Sequence, residues 1–228
     1  MRPLPRFYYV ANWVLCHSAV PLLLRLEVRG LEKVPREGPL IVVINHFNIV
    51  DPILTGAVLP RGLEMMAKIE LFQTPIVKWL VSAYGAFPVR RGEGDVEAVK
   101  HALGVLRRGG ALLMAPEGTR GVPVLREAHN GVAMLATRAR AVVVPVGIAG
   151  HEHFFRNLKR LRRTAVRVSV GDPFYLDAGT RKVGREALEA MTAELMQRLA
   201  AELPQEYRGQ YQPASGPGEY VRPLGASE

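Results

Sequence analysis

In the stretch "INHFNIVDP", Ile44 to Pro52, His46 stands five residues before Asp51, directly after a run of aliphatic residues. An imidazole takes a proton near neutral pH, and a carboxylate within reach of its other nitrogen fixes the tautomer and stabilises the imidazolium that forms. His46 and Asp51 therefore read as a base and its orienter, suited to activating a hydroxyl. The chain offers no nucleophile of its own for this pair. It has no G-x-S-x-G turn, and its single cysteine, Cys16, lies in an apolar segment. The hydroxyl would then belong to a substrate. Asp51 before Pro52 also has an architectural reading, as the cap of a helix with proline in its first turn. One carboxylate has two oxygens and can serve both purposes.

Two other transitions from apolar run to polar turn carry cations. "ALLMAPEGTRG" presents Glu117, Gly118, Thr119 and Arg120; Gly118 lets the backbone approach a ligand, and Arg120 can hold a phosphate through two parallel hydrogen bonds. "YGAFPVRRGEG" supplies Arg90 and Arg91 beside Gly85, Gly92 and Gly94; as bare sequence it is equally an exposed basic loop. Backbone N–H groups near Gly118, or at the helix start after Asp51, are candidates to meet an oxyanion. His151 and His153 are two apart but have no third ligand cluster beside them, so no metal is expected.

These turns need a frame that brings them together. "LIVVI" (40 to 44), "LEMMA" (63 to 67), "GAFPV" (85 to 89), "ALLMA" (111 to 115), "AVVVPVGI" (141 to 148) and "AVRVSV" (165 to 170) read as strands. Several are apolar on both faces, as in a sheet covered by helices. Val96, Val99, Leu103 and Leu106 fall on one face of a helix starting near Asp95, and Leu188, Met191, Leu195, Leu199 and Leu203 do so in a late helix. The alternation predicts an α/β fold with a central, largely parallel sheet covered by helices. In such sheets ligands collect beyond the carboxyl ends of the strands, so parallel neighbours would gather the three polar turns on one rim.

The 228 residues suffice for one sizeable domain, and 30 Lys+Arg against 21 Asp+Glu leave a formal charge of +9. The surplus favours anionic partners: nucleic acid, an acidic lipid surface, phosphorylated substrates or an acidic carrier protein. With one cysteine no internal disulfide can form, which suits a reducing compartment. Residues 7 to 24 carry no formal charge but include Asn12, His17 and Pro21. That is borderline for a span of about 20 apolar residues, and an interfacial or re-entrant helical anchor fits as well. Tyr8, Tyr9, Trp13, Leu22 and Leu23 would touch the membrane. A helix packed on the core is the alternative. "HFFRNLKRLRR" places Phe154, Leu158 and Leu161 on one side of a helix with basic residues elsewhere, as on a helix lying on an anionic membrane. The expected division is a hydrophobic segment at 1–26, an α/β domain at 27–203 and a Pro/Gly-rich tail at 204–228 that wraps the surface or moves.

"NHFNIVD" resembles the N-H-x4-D block, "GAFPVRR" the G-x-F-x-x-R block and "APEGTR" the P-E-G-T-R block of the glycerolipid acyltransferases typified by 1-acyl-glycerol-3-phosphate acyltransferase. "VVVPVGI" is similar to that family's fourth block, and the order is the family's own. The resemblance implies an enzyme that transfers a fatty acyl group from an acyl carrier protein or coenzyme A thioester to the sn-2 hydroxyl of lysophosphatidic acid, giving phosphatidic acid. It implies no cofactor beyond that cosubstrate, no metal and no acyl-enzyme intermediate. Carried over, His46 is the general base and Asp51 its partner. Arg90, Gly85, Phe87, Glu117, Gly118, Thr119 and Arg120 form the acceptor site, and Lys68 matches a position often basic in the family. The family often has Ser after its third block where this chain has Gly121, which leaves acceptor identity open.

The expected location is the cytoplasmic face of the cell membrane, monotopic or peripheral. Two competing readings stand beside this one. The first is an acyltransferase of the same superfamily acting on another lysophospholipid or lipid head group. The second is a non-catalytic basic protein binding membrane or nucleic acid; against it, the basic residues form no recognised nucleic-acid module, so no nucleic-acid partner is expected.

Overall fold

The five aliphatic residues of β2, Leu40–Ile44, are all buried, and so are all eight residues of β6, Val142–Ala149, Pro145 and Gly147 included. A strand apolar on both faces persists only where helices cover both sides of its sheet. The structure, a computed structural model, describes residues 10, 14, 18, 20–90, 95–118, 121–180, 183–214 and 216–224. Around β2 and β6 it arranges β1 (Leu24–Arg29), β3 (Glu64–Lys68), β4 (Ala86–Val89), β5 (Ala111–Met114) and β7 (Thr164–Val170) in the order β1-β7-β6-β2-β5-β3-β4. β2 is parallel to both β5 and β6, and β3 is parallel to both β5 and β4. β7 runs antiparallel to β6 and carries β1 parallel to itself. The sheet is mostly parallel, as expected. Five strands end on one rim, where β1 and β7 begin.

The two faces of β2 feed two cores. Ile41 and Val43 join the buried side chains of α4 (Val96–Arg107), α5 (Gly131–Ala139) and α7 (Arg185–Ala201). Leu40, Val42 and Ile44 join Leu54 of α2 (Val50–Val58) and the aliphatic residues of β6 and β7. Asp95 caps α4 by accepting from the Ala98 N–H at 3.0 Å. The stripe that α4 buries is Ala98, Ala102, Val105 and Leu106, while Val96 is 61% exposed. The expected stripe of larger residues is therefore rotated, because two alanines let the helix lie close to the sheet; Val99 and Leu103 pack at its edge. In α7 the buried residues include Met191, Leu195 and Leu199, with Leu203 buried just beyond.

Three strands were not expected from the pattern. β1 begins at Leu24, within the 1–26 segment, and follows a helical turn, α1 (Val20–Leu23). β8 (Phe174–Leu176) pairs with β6, and β9 (Val221–Pro223), from the tail, pairs antiparallel with β8. The basic stretch is helical only over α6 (Phe154–Leu158); Leu161 lies past it with φ 50° and is 94% exposed. The expected alignment of Phe154, Leu158 and Leu161 along one helix is thus replaced by a short helix and a turn. Tyr8, Tyr9 and Trp13 lie outside the described residues, whereas Leu22 is exposed and Leu23 partly buried. Among the described residues no helix is long and apolar enough to cross a membrane.

Candidate active site

The turn after β2 is held by its polar residues. Asn45, fully buried, donates through Nδ2 to the Ile148 carbonyl and accepts from the Ile148 N–H, both at 2.8 Å. This amide pair locks the end of β2 to β6 just before the chain turns. His46 follows, with Nδ1 3.1 Å from Asp51 Oδ2; its side chain is 13% exposed and that of Asp51 is fully buried. The same Oδ2 accepts the main-chain N–H of Phe47 and of Asn48, each at 2.8 Å.

Asp51 does not cap its helix. α2 starts at Val50 with Ile49 at the capping position and no side-chain cap. The Asp51 carboxylate instead folds back over the turn that carries His46. The architectural service of Asp51 is thus to the turn that carries His46, because the amides it satisfies precede the helix.

The other Asp51 oxygen, Oδ1, meets a residue that the sequence reading left aside. His151 Nε2, just past the end of β6, lies 3.0 Å from Oδ1, and the His151 side chain is 1% exposed. The Phe47 ring stacks on that imidazole with centroids 5.6 Å apart and an interplanar angle of 11°. Burial alone would push the Asp51 carboxyl up, but the imidazoles of His151 and His46 and the Asn48 N–H hold it below the usual carboxylate value.

Glu117, in the turn after β5, is 3% exposed. Its Oε1 accepts from the His46 N–H at 3.3 Å, and its Oε2 accepts from the Arg126 N–H at 3.3 Å and Nε at 3.4 Å. Both oxygens are engaged by protein, so Glu117 ties this turn to the histidine turn. Burial pushes its carboxyl up despite those bonds. Gly118 has φ 68°, and a Cβ there would come within 3.0 Å of the His129 ring. The Gly118 N–H donates to Ala115 O at 3.1 Å, and Asp51 N–H to Asn48 O at 3.4 Å, so neither is free for an oxyanion. Thr119 and Arg120, like Arg91, Gly92 and Gly94, lie outside the described residues.

His46, Arg90, Gly118 and His129 border one cavity of about 390 Å³ whose walls include Met65, Met66, Met114 and Met134. A largely apolar pocket with a few convergent polar groups has the make-up of a small-molecule site, and methionines adapt to flexible chains. Arg90 is exposed, and its N–H donates to Asp95 Oδ2 at 2.8 Å. Lys68, at the end of β3, is 3.7 Å from Glu70 in an exposed ion pair and does not border the cavity. Gly85 and Phe87 are not brought to the site. Gly85 precedes β4, so it sits on the opposite rim from Arg90. Phe87 is buried against His101 of α4, with ring centroids 4.2 Å apart.

Comparison with known proteins shows the family and the fold. The chain is 27% identical over 192 residues to the 1-acyl-sn-glycerol-3-phosphate acyltransferase of Bacillus subtilis, covering 81% of this chain and 93% of that one. To the enzyme of the same name from Streptococcus pneumoniae it is 29% identical over 181 residues, covering 76% and 66%. The crystal structure of the 1-acyl-sn-glycerophosphate acyltransferase PlsC from Thermotoga maritima superposes with a TM-score of 0.66 at 22% identity, over 86% of this chain and 78% of that one, which shows a shared fold. The family model described as Acyltransferase matches residues 25–149, more than half of the 228 residues. That span holds His46, Asp51, Arg90 and Glu117, and the chain belongs to the Acyltransferase family of enzymes.

Proposed function

We propose that this enzyme transfers a fatty acyl group from an acyl carrier protein or coenzyme A thioester to the sn-2 hydroxyl of 1-acyl-glycerol-3-phosphate, giving phosphatidic acid. The observation that carries the chemistry is His46 Nδ1 held 3.1 Å from a buried Asp51 in a residue that borders the cavity. The names of the relatives support the acceptor. With Nδ1 committed to Asp51, Nε2 is the nitrogen that takes the hydroxyl proton as the hydroxyl oxygen attacks the thioester carbonyl. The tetrahedral oxyanion then collapses, the C–S bond breaks, and the His46 imidazolium returns its proton to the leaving thiolate. No bond to the protein forms. Arg90, which borders the cavity, and Arg120 of the "APEGTR" block are the cations that would meet the acceptor phosphate.

The same reading places the enzyme on an anionic membrane as a monotopic or peripheral protein. It is supported by where the exposed apolar residues fall. Leu22, Ile49, Ile76, Val122, Phe155 and Leu161 are all more than 45% exposed, and each belongs to a segment at the rim where β2 to β6 end and β1 and β7 begin. Exposed Arg156, Lys159, Arg160 and Arg162 surround the last two. Apolar tips among cations suit a lipid surface, and this rim is also the mouth of the site.

The test is to incubate purified protein with lysophosphatidate, lysophosphatidylcholine and a panel of acyl thioesters, and to identify products by mass spectrometry in the presence of phosphatidylglycerol or phosphatidylcholine vesicles. Phosphatidate as the main product, with protein sedimenting on the anionic vesicles, is expected. Equal use of both acceptors would overturn the phosphate-acceptor reading.

A further inference from the structure

Asp51 divides its two oxygens unequally. Oδ2 serves three donors, namely His46 Nδ1 and the amides of Phe47 and Asn48. Oδ1 is buried and has no aligned hydrogen bond among the described residues; what it has is His151 Nε2 at 3.0 Å. A buried carboxylate oxygen left without a donor is costly, and among the described residues the His151 imidazole is the group in ion-pair contact with Oδ1. The ring N–H is not aimed squarely at Oδ1, which is common for catalytic contacts before substrate binds. Neither ring nitrogen of His151 has a hydrogen-bond partner among the described residues. A neutral imidazole has one N–H to place, and it gains most by carrying it on Nε2, toward the carboxylate.

His151 is also held in place. Its ring is flanked by Phe47, which stacks in turn on Tyr207 at 5.8 Å. Tyr207 Oη donates to Glu152 Oε1 at 2.6 Å, and the His151 carbonyl accepts from Asn48 Nδ2 at 3.4 Å. This clamp joins the end of β6, the histidine turn and the tail.

We propose that His151 is a positioning residue for the dyad: it donates to Asp51 Oδ1, which keeps the carboxylate ionised and turned so that Oδ2 faces His46. The proposal rests on the acyl-transfer reading for its effect on rate, but its structural part does not. The charged groups around the pair have other partners. Glu117 engages the His46 N–H and Arg126, Glu152 engages Tyr207 and His153, and Asp95 engages the Arg90 N–H. His129 borders the cavity beside Gly118. Of these, none is in ion-pair contact with Asp51 among the described residues; His46 and His151 are.

The test compares the full chain with His151→Gln, His151→Asn and His151→Leu. Glutamine sets an amide N–H where Nε2 lies, whereas asparagine is too short to reach Oδ1 and leucine has no donor. The first readout needs no substrate: the carboxyl titration of Asp51 followed by ¹³C NMR. Its midpoint should rise by about one pH unit in the Leu and Asn variants and stay near the native value in the Gln variant. The second is the pH profile of kcat/KM, whose acid limb should move to higher pH in Leu and Asn, with kcat reduced about tenfold or more and acceptor KM little changed. If the Leu variant does not fold, the Asn and Gln pair carries the test. An Asp51 midpoint that is the same in all folded variants overturns the proposal. Native protein that makes no phosphatidate, with the Asp51 midpoint still shifting, would overturn the acyl-transfer reading and leave the role of His151 standing.

Discussion

Asp51 and Glu117 are both buried carboxylates in turns at the carboxyl rim, and both touch His46, yet their acidities move in opposite directions. Burial raises both. What differs is the company. Asp51 has two imidazoles at 3.0 to 3.1 Å and two amides at 2.8 Å, whereas the three bonds to Glu117 are all 3.3 to 3.4 Å long. Short contacts that favour the anion outweigh desolvation in the first case and fall short in the second. A carboxylate that must stay charged beside a base needs such a cage. One that merely ties two turns together does not.

Substitution can separate the two roles. The largest effect belongs to Asp51→Asn, which keeps the shape but removes the charge that fixes the His46 tautomer; kcat should fall by about 10²- to 10⁴-fold, measured as phosphatidate formed. A fall of less than about threefold would mean that His46 does not depend on Asp51.

Glu117→Gln should cost much less, about tenfold in kcat, since the tether is weakened and not the base. Its clearer signature lies in stability. The Glu117 carboxyl, shifted up and so a weaker acid in the fold, contributes stability that is present below its ordinary value of 4.5 and lost as pH rises through its higher folded value. The Asp51 carboxyl, shifted down and so a stronger acid in the fold, contributes stability that is present above 3.8 and lost as pH falls through its lower folded value. Thermal melts against pH should therefore show Glu117→Gln gaining on the native protein as pH rises above about 4.5. Asp51→Asn should lose its deficit as pH falls below about 3.8. Parallel curves for all three proteins would remove the distinction between cage and tether.

These two turns also show what could be read from the sequence. β2 and β6 are legible because continuous aliphatic runs have few alternatives, and the His46–Asp51 contact is legible because it closes within five residues. His151 is not, since it reaches Asp51 only after β6 has been laid parallel to β2 from a hundred residues away. In the chain His151 stands two residues from His153, but in the fold His151 faces Asp51 while His153 is 3.3 Å from Glu152.

The block "GAFPVRR" misleads in the opposite way. Its residues are consecutive in the chain, but β4 runs between them and carries Gly85 and Arg90 to opposite rims, about 16 Å apart along an extended strand. The rotation of α4 was hidden because the counting of large apolar residues overlooks alanine. The exposed tip at Leu161 was hidden because a left-handed turn in a leucine has no sequence signal.

The proposed function has His46 activate a hydroxyl the protein does not itself carry. It is tested most directly by His46→Ala, with single-turnover transfer to lysophosphatidate and intact mass measured on the same samples. The expected result is a native melting curve, transfer reduced about 10³- to 10⁴-fold, and no acyl adduct on either protein when acceptor is withheld. Undiminished transfer by the variant, or an acyl adduct on the native chain that decays when lysophosphatidate is added, would contradict it.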